Sequence, residues 1–261
     1  MSPRRRRLLL AICFVLTAIL IAVVLRVVSR PDQGPVSQDR PGPVLLVSGY
    51  GGGTASLERL AVALRAQGRI AQVVPPVGDG TGDLRAQARS LATAADRSIA
   101  AGAPSVDVIG YSAGGVVTRI WLTELGGSRV ARRVVTLGSP HHGSQVAAVG
   151  AVFAPASCPL ACQQLVPDSP LLGSLRPVPG AVRWVSIWTA NDQTVTPPDS
   201  ARLDGAVNVE LQSICPAARV GHGQLPTDPL VRGIVALALG PTGLTAAPEP
   251  AQCARLQAPA G

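Results

Sequence analysis

The 261-residue sequence contains no lysine, so all 23 of its basic residues are arginine. This absence excludes three kinds of site that need a lysine side chain: the Walker A phosphate loop, the Schiff-base site and the Ser-x-x-Lys nucleophile site. Aromatic residues are also scarce, with two Phe, three Trp and two Tyr in the whole chain. A platform on which nucleic-acid bases stack is therefore not expected.

Acidic residues are missing from the first 30 positions, which hold six of the arginines. The net charge of +8 is therefore concentrated at the N-terminus. Residues 31–261 carry 17 Arg against 15 Asp and Glu. Such a nearly neutral body offers no basic stripe for phosphates, and nucleic acid is not expected as a partner.

The N-terminal segment has the pattern of a membrane anchor. Four arginines at positions 4–7 precede the apolar run Leu8–Leu25, whose 18 residues carry no charge. As a helix this run would span about 27 Å, just enough to cross the hydrocarbon core. The arginines should stay in the cytoplasm, which places the rest of the chain outside the cell membrane. A cleaved signal peptide and a secreted protein are the alternative, although no Ala-x-Ala site follows the run.

Composition then divides the chain into four parts. We expect the arginine cluster and anchor over 1–30, a Pro/Gly-rich linker over 31–43, one α/β domain over 44–240, and a Pro/Ala-rich tail over 241–261. Hydrophobic residues make up 47% of the chain and charged residues 15%, so the body should bury a large core. We expect a monomer.

Four cysteines lie in the body, an even number that suits an exported protein. We favour disulfides Cys158–Cys162 and Cys215–Cys253, because the first pair is local and the second would hold the tail. Free buried thiols are the alternative. No metal site is expected, since no His neighbours the first pair and 38 residues separate the second. Cys13, in the apolar run, is expected to act only as a small hydrophobic residue.

The body alternates strands with helices. Six segments rich in Val, Ile and Leu predict strands: Val44–Val47, Ile70–Val74, Val106–Ile109, Val134–Leu137, Val182–Trp188 and Ala206–Leu211. The predicted helices cover 55–66, 82–101, 113–125 and 228–239. Buried strands between helices indicate an α/β fold with a mostly parallel six-stranded sheet covered on both faces. Proline-rich residues 143–180 interrupt the alternation and predict a loop or a short cap.

The segment Gly110-Tyr111-Ser112-Ala113-Gly114 follows the third predicted strand and opens a helix. A strand, a G-x-S-x-G sequence and a helix are the context of a nucleophile elbow, which exposes the Ser above the sheet. The helix N-terminus favours negative charge at this position. The alternative is an ordinary N-cap serine.

Three histidines are candidates for the base that would activate this Ser: His141, His142 and His222. In this architecture the order along the chain is Ser, acid, His. We therefore assign the base to His222, which follows the last predicted strand between two glycines. His141 and His142 are expected to brace the neighbouring loop or to line the substrate pocket, together with Tyr111.

The acid should follow the strand before the last. Asp192 fits this position best, whereas Asp199 and Asp204 come later and have the pattern of turn residues. Main-chain N–H groups of Tyr50 and Ala113 are the expected oxyanion donors. The glycine-rich loop around Tyr50 has dinucleotide binding as its alternative, but Thr54 occupies the third glycine position of that fingerprint.

Together these motifs resemble the α/β-hydrolase superfamily, and within it the small bacterial lipases and esterases of the Bacillus lipase A, or class 2 lipase, kind. The resemblance runs from about Val44 to Leu239 and rests on GYSAGG at 110–115, TLGSPHHGS at 136–144, ND at 191–192 and GHG at 221–223. Those lipases usually carry His-Gly before the first oxyanion donor, where this chain has Ser48-Gly49. Residues 157–175 resemble a segment of exported actinobacterial lipases.

The resemblance implies an α/β-hydrolase sheet that lacks the first two strands of the full fold, in agreement with six predicted strands. It also implies hydrolysis of lipid or other carboxylic esters through an acyl-enzyme, without a cofactor. Two alternatives keep the same fold. One is an acyltransferase that acts on cell-envelope lipids, and the other is a membrane-anchored binding protein without catalytic activity, against which the complete Ser, Asp and His set argues.

Overall fold

The structure is a computed structural model and describes Phe14, Thr17, Ile19 and residues 36–178 and 180–258. The three isolated N-terminal residues are helical. Apart from them, the predicted anchor over 1–30 lies outside the described residues. Within the described residues, no helix is both long and apolar enough to cross a membrane.

The core of the body is a parallel sheet of six strands. They are β1 Val44–Val47, β2 Ala71–Val73, β3 Val106–Tyr111, β4 Ala131–Leu137, β5 Arg183–Trp188 and β6 Val207–Glu210. The spatial order is β2-β1-β3-β4-β5-β6, and every neighbouring pair is parallel. The predicted fold class and the six predicted strands are confirmed, with shifts of a few residues at the strand ends.

Helices cover both faces of this sheet. The longer ones are α1 Ala55–Ala66, α2 Leu84–Ala100, α3 Ala113–Glu124 and α8 Pro229–Leu239. Along β1, Val44 and Leu46 pack with α1 and α8, whereas Leu45 and Val47 pack with α2 and α3. Because successive strand residues point to opposite faces, a strand covered on both sides has to be apolar throughout.

The interrupting segment is a cap that contains three short helices rather than a plain loop. These are α4 Gln145–Phe153, α5 Leu160–Gln164 and α6 Pro170–Ser174. The predicted Cys158–Cys162 disulfide is present and joins the chain just before α5 to the interior of that helix. The cap is also held to the body, because the Ala161 N–H donates to the Thr81 carbonyl at 3.0 Å.

The two segments that flank the predicted domain are more ordered than their composition indicated. In the predicted linker, residues 36–43 pack on the body, and the Ser105 hydroxyl donates to the Arg40 carbonyl at 3.0 Å. In the predicted tail, helix α9 Cys253–Gln257 buries Leu256 against α8. The predicted Cys215–Cys253 disulfide is also present. It connects this tail to the chain that follows α7, Leu211–Ile214.

Candidate active site

Ser112 lies in a sharp turn between β3 and α3. Its φ of 54° is positive, a conformation that a residue with a side chain seldom adopts, and its N–H donates to the Leu137 carbonyl at 2.8 Å. The turn is tight because its glycines touch neighbouring backbone. A Cβ at Gly110 would lie 2.6 Å from the Gly114 carbonyl oxygen, and a Cβ at Gly114 would lie 2.3 Å from that of Val47. The turn therefore depends on both glycines and has the geometry of the predicted elbow.

The structure brings the three predicted reactive side chains together in one chain of hydrogen bonds. His222 Nε2 lies 3.1 Å from Ser112 Oγ, and His222 Nδ1 lies 2.7 Å from Asp192 Oδ2. The imidazole and the carboxylate are almost fully buried, with 9% and 1% of their side chains exposed. Each residue follows a different strand, and parallel strands end at the same edge of the sheet, which explains why residues 110 and 30 positions apart meet.

Backbone groups fix the carboxylate of Asp192 in this orientation. Its Oδ1 accepts hydrogen bonds from the N–H groups of Thr194 at 2.9 Å and Val195 at 2.8 Å. Its Oδ2 is therefore the oxygen that faces the imidazole. The Thr189 hydroxyl donates to the Val220 carbonyl at 2.7 Å and so joins the loop of Asp192 to the loop of His222.

The glycine-rich loop after β1 lies directly beside Ser112. A Cβ at Gly49 would lie 2.8 Å from the Ser112 Cβ, so this position has no room for a side chain. The loop is supported from behind by Gly80, whose carbonyl accepts a 3.4 Å hydrogen bond from the Gly51 N–H. Tyr50 follows Gly49 in this loop, and Ala113 begins helix α3 on the other side of Ser112.

A cleft of about 230 Å³ opens beside the serine. Its lining contains no charged side chain and consists of Tyr50, Ser112, Pro140, Ser144, Val146, Ala147, Ser157, Cys162, Leu165, Thr194 and Val195. Most of these residues come from the cap and from the loop after β5. The cleft therefore suits an uncharged, largely apolar group. Larger hollows elsewhere on the described surface, of about 280 to 520 Å³, have none of the three reactive residues in their linings.

Tyr111, His141 and His142 are pocket candidates from the sequence, with bracing of the neighbouring loop as the alternative for the two histidines, and none of the three is among the described residues that line this cleft. Tyr111 packs against the His222 ring instead, with the ring centroids 5.2 Å apart. His141 is buried beneath the site, where its Nε2 lies 3.2 Å from the Thr136 hydroxyl. Burial, followed by the charge of Arg119 and by His142, lowers the pKa of His141 to about 3, so its ring stays neutral. His142 is exposed.

One residue of the site was not singled out from the sequence. Gly138 follows β4 with a φ of +55°, and a Cβ there would lie 3.1 Å from His222 Nδ1 and 3.2 Å from Asp192 Oδ2. A side chain at this position would press on the hydrogen bond between these two residues. Gly138 lies within TLGSPHHGS, one of the motifs that carry the resemblance, but a glycine directly after a buried strand is too common to indicate a site by itself.

In the described part of the chain, no group of three or more His, Cys, Asp or Glu side chains is arranged to hold a metal ion. The chemistry that this arrangement supports is nucleophilic attack by a hydroxyl beside an imidazole that can take its proton.

Comparison with known proteins gives similarity in fold rather than in sequence. No protein-family model and no curated protein sequence matches the chain. Among solved structures, Aspergillus fumigatus lipase B is similar with a TM-score of 0.65 at 20% identity, over 82% of this chain. The chain spans only 57% of the length of that lipase.

Two bacterial structures are similar over more of their own length. A Listeria innocua gene product has a TM-score of 0.57 at 17% identity, over 79% of this chain and 98% of its own. Mature Bacillus licheniformis lipase BlEst2 has a TM-score of 0.55 at 19% identity, over 64% of this chain and 81% of its own. Together with the six-stranded parallel sheet, these similarities show that the chain has the α/β-hydrolase fold.

Proposed function

We propose that this protein is a serine hydrolase that cleaves carboxylic esters. The observation that carries the proposal is the hydrogen-bonded chain Ser112–His222–Asp192, which begins at a strained turn and borders an uncharged cleft. Two of the similar structures are named as lipases, which supports this chemistry.

In the proposed reaction, Ser112 Oγ attacks the ester carbonyl while His222 Nε2 takes the hydroxyl proton. Asp192 keeps the imidazole oriented and stabilises its protonated form. The imidazolium then gives its proton to the leaving alcohol, and an acyl-enzyme on Ser112 remains. Water attacks the acyl-enzyme with His222 again as base, which releases the acid and restores the serine.

The negative charge that develops on the carbonyl oxygen needs donors beside Ser112. We assign them to the main-chain N–H groups of Tyr50 and Ala113, which lie in the two backbone segments that flank the serine. Loss of one such donor in a serine hydrolase costs about 3 kcal/mol of transition-state stabilisation. The absence of a side chain at Gly49 is what allows the first segment to come close.

For the substrate, we propose esters with an apolar acyl chain, and lipid esters in particular. Residues 143–167, the part of the cap that supplies most of the lining of the cleft, contain no charged residue. Helix α4, whose Val146 and Ala147 line the cleft, has no buried residue and exposes Val146, Val149, Val152 and Phe153. An exposed apolar surface of this kind favours contact with a substrate that forms a separate apolar phase, as lipid esters do. A relationship to class 2 lipases of the exported actinobacterial type would fit this substrate.

We further propose that the protein is held at the cell membrane by residues 1–30, with the hydrolase domain outside. Two disulfides in the body support an oxidising compartment. Fractionation of cells, followed by protease treatment of intact cells, tests both parts of this proposal. A soluble form that begins near Pro31 would favour the secreted alternative.

The reaction is tested with p-nitrophenyl esters and a fluorophosphonate probe. We expect hydrolysis of the esters and covalent labelling of a single peptide at Ser112. Ser213→Ala, which removes an exposed serine, is the control variant and should still be labelled. Labelling of another serine would overturn the assignment. Analysis of the products with and without an added alcohol separates hydrolysis from acyl transfer.

A further inference from the structure

Tyr111 is the residue that connects the serine turn to the loop that carries the imidazole. It is the last residue of β3, and its register partner in β4 is Leu137. The next residue, Ser112, donates its N–H to the carbonyl of the same Leu137. The backbone at Tyr111 is therefore paired with β4 up to the very end of β3.

The side chain of Tyr111 makes two separate contacts with His222. The two rings lie 5.2 Å apart between centroids at an interplanar angle of 33°. The Tyr111 hydroxyl donates a hydrogen bond of 3.3 Å to the main-chain carbonyl of His222. One contact restricts the imidazole and the other restricts the backbone from which the imidazole projects.

His222 needs this support because it does not project from a long helix or a strand. It lies in a single turn, His222–Gln224, in the segment between α7 and α8. Rotation of the imidazole about its own bond would break the contact to Ser112, the contact to Asp192, or both. A half-buried aromatic ring against one side of the imidazole opposes that rotation. On the other side of the site, Gly138 leaves room for the ring nitrogen that faces Asp192.

From these contacts we infer that Tyr111 is a positioning residue for the general base, an inference that rests on the proposed ester hydrolysis. It anchors the His222 turn to the edge of the sheet, so that serine and base are located by the same strand. Burial, followed by the charge of Asp192, raises the pKa of Tyr111 to about 12. The hydroxyl therefore remains a neutral donor throughout the pH range in which an imidazole titrates.

The test compares Tyr111→Phe, which removes only the hydroxyl, with wild type on two butyrate esters. A p-nitrophenyl ester expels its leaving group without protonation, whereas an ethyl ester needs a proton from the imidazolium. A loosely held imidazole should impair the second reaction more. We expect kcat/KM for the ethyl ester to fall by about 3- to 10-fold, the size of one neutral hydrogen bond, and the p-nitrophenyl reaction to fall less.

Leu237→Ala is the matched control, because Leu237 packs at the edge of the same core from α8. A general loss of packing should lower the unfolding temperature and affect both esters equally. Equal losses for both esters in Tyr111→Phe, or no loss in either, would overturn the inference. Tyr111→Leu, which removes the ring stacking as well, should show a larger difference between the esters.

A second readout does not depend on ester hydrolysis. The proton on His222 Nδ1, shared with Asp192, is expected as a low-field NMR resonance that Asp192→Asn removes. We expect Tyr111→Phe to speed its exchange with water several-fold and Leu237→Ala to leave it unchanged. Unchanged exchange in Tyr111→Phe would refute the inference, whereas a wild-type protein that cleaves neither ester and resists the fluorophosphonate would refute the proposed function alone.

Discussion

Strand β3 carries one polar cluster at each end, and the two clusters are opposite in character. Near its beginning, Asp107 is fully buried and accepts hydrogen bonds from Arg132 at 2.5 and 3.0 Å and from Arg69 at 2.6 Å. Directly after its end, Ser112 holds a strained backbone and turns its hydroxyl toward an open cleft. The carboxylate of the first cluster is paired with two arginines inside the protein, whereas the hydroxyl of the second borders an open cleft.

The cluster around Asp107 connects remote parts of the chain. Arg132 also donates to the carbonyls of Gln38 at 3.1 Å and Leu239 at 2.9 Å, and Arg69 donates to the carbonyl of Gly42 at 3.2 Å. One carboxylate thus holds the beginning of the body and the end of α8 to the sheet. The comparison teaches that polar groups at the two ends of one strand can differ in kind: those at one end connect parts of the fold, and the hydroxyl at the other end faces a cleft.

Ser112→Ala should give the largest effect, and it should lower activity without lowering stability. Loss of the nucleophile in a triad lowers kcat by about 10⁶-fold. The unfolding temperature should stay close to that of wild type, because the hydroxyl contributes little packing. Parallel ester assays and thermal unfolding check both parts. Substantial residual turnover would mean that another group performs the attack.

Asp107→Ala should have the opposite profile. Removal of one partner of a buried ion cluster leaves the guanidinium groups uncompensated and costs about 3–5 kcal/mol of unfolding free energy. The kcat of the protein that remains folded should hardly change. Urea unfolding measures the loss, and Asp39→Ala, an exposed carboxylate nearby, is the control. A large drop in kcat would show that the two ends of β3 are coupled.

Gly138→Ala sharpens the comparison within the reactive cluster. A methyl group there would displace the end of the Leu225 side chain, 2.6 Å away, and would approach His222 Nδ1 to 3.1 Å and Asp192 Oδ2 to 3.2 Å. Displacement of a catalytic group by about 1 Å costs on the order of 100-fold in rate. Gly205→Ala is the matched control, because Gly205 also has a positive φ, of 81°, but its Cβ would meet no atom within 4 Å. Equal losses of activity in both variants would show that backbone strain alone causes the effect, and not the contact with His222 and Asp192.

The sequence predicts the cluster of Ser112, Asp192 and His222 better than the cluster around Asp107. Ser112, Asp192 and His222 each follow a predicted strand, and the topology of a parallel sheet brings such positions to one edge. Asp107 gives no comparable signal, because a single acid inside an apolar strand does not identify its arginine partners. Those partners lie 38 and 25 residues away in the chain. Their contact is fixed only by tertiary packing.

The cap was predicted as an insertion but not as helices, for a similar reason. Helix α4 is apolar on all sides and buries none of its residues, so it lacks the periodic pattern by which an amphipathic helix is detected. The closeness of Gly138 to the imidazole and the contacts of Tyr111 with His222 depend on distances between residues on different strands and loops. Such distances are a property of the folded chain and have no local sequence pattern.

The Cys215–Cys253 disulfide offers a milder way to loosen the reactive cluster. It closes a loop of 38 residues, worth about 4 kcal/mol in the chain-entropy model. Since Cys215 precedes His222 by seven residues, we expect reduction to lower ester hydrolysis before the core unfolds. Activity and near-UV circular dichroism followed together in dithiothreitol test this order. The double variant Cys158→Ser/Cys162→Ser separates the effect of the cap disulfide, and activity indifferent to reductant would contradict the prediction.

The smallest effect is expected on the apolar surface of the cap, at a distance from both clusters. Phe153 at the end of α4 is 81% exposed, so Phe153→Asp should leave folding and the hydrolysis of dissolved esters unchanged. On an emulsified ester the added charge opposes contact with the apolar phase, so activity should fall by about 3- to 10-fold. This range corresponds to about 1 kcal/mol of free energy gained when an exposed Phe is buried in that phase. Val62→Asp is the control, because Val62 is a 60% exposed apolar residue on α1, outside the cap. Equal activity of the two variants on emulsion would show that the cap surface does not meet the substrate phase, and the acyl chain would then be recognised only within the cleft beside Ser112.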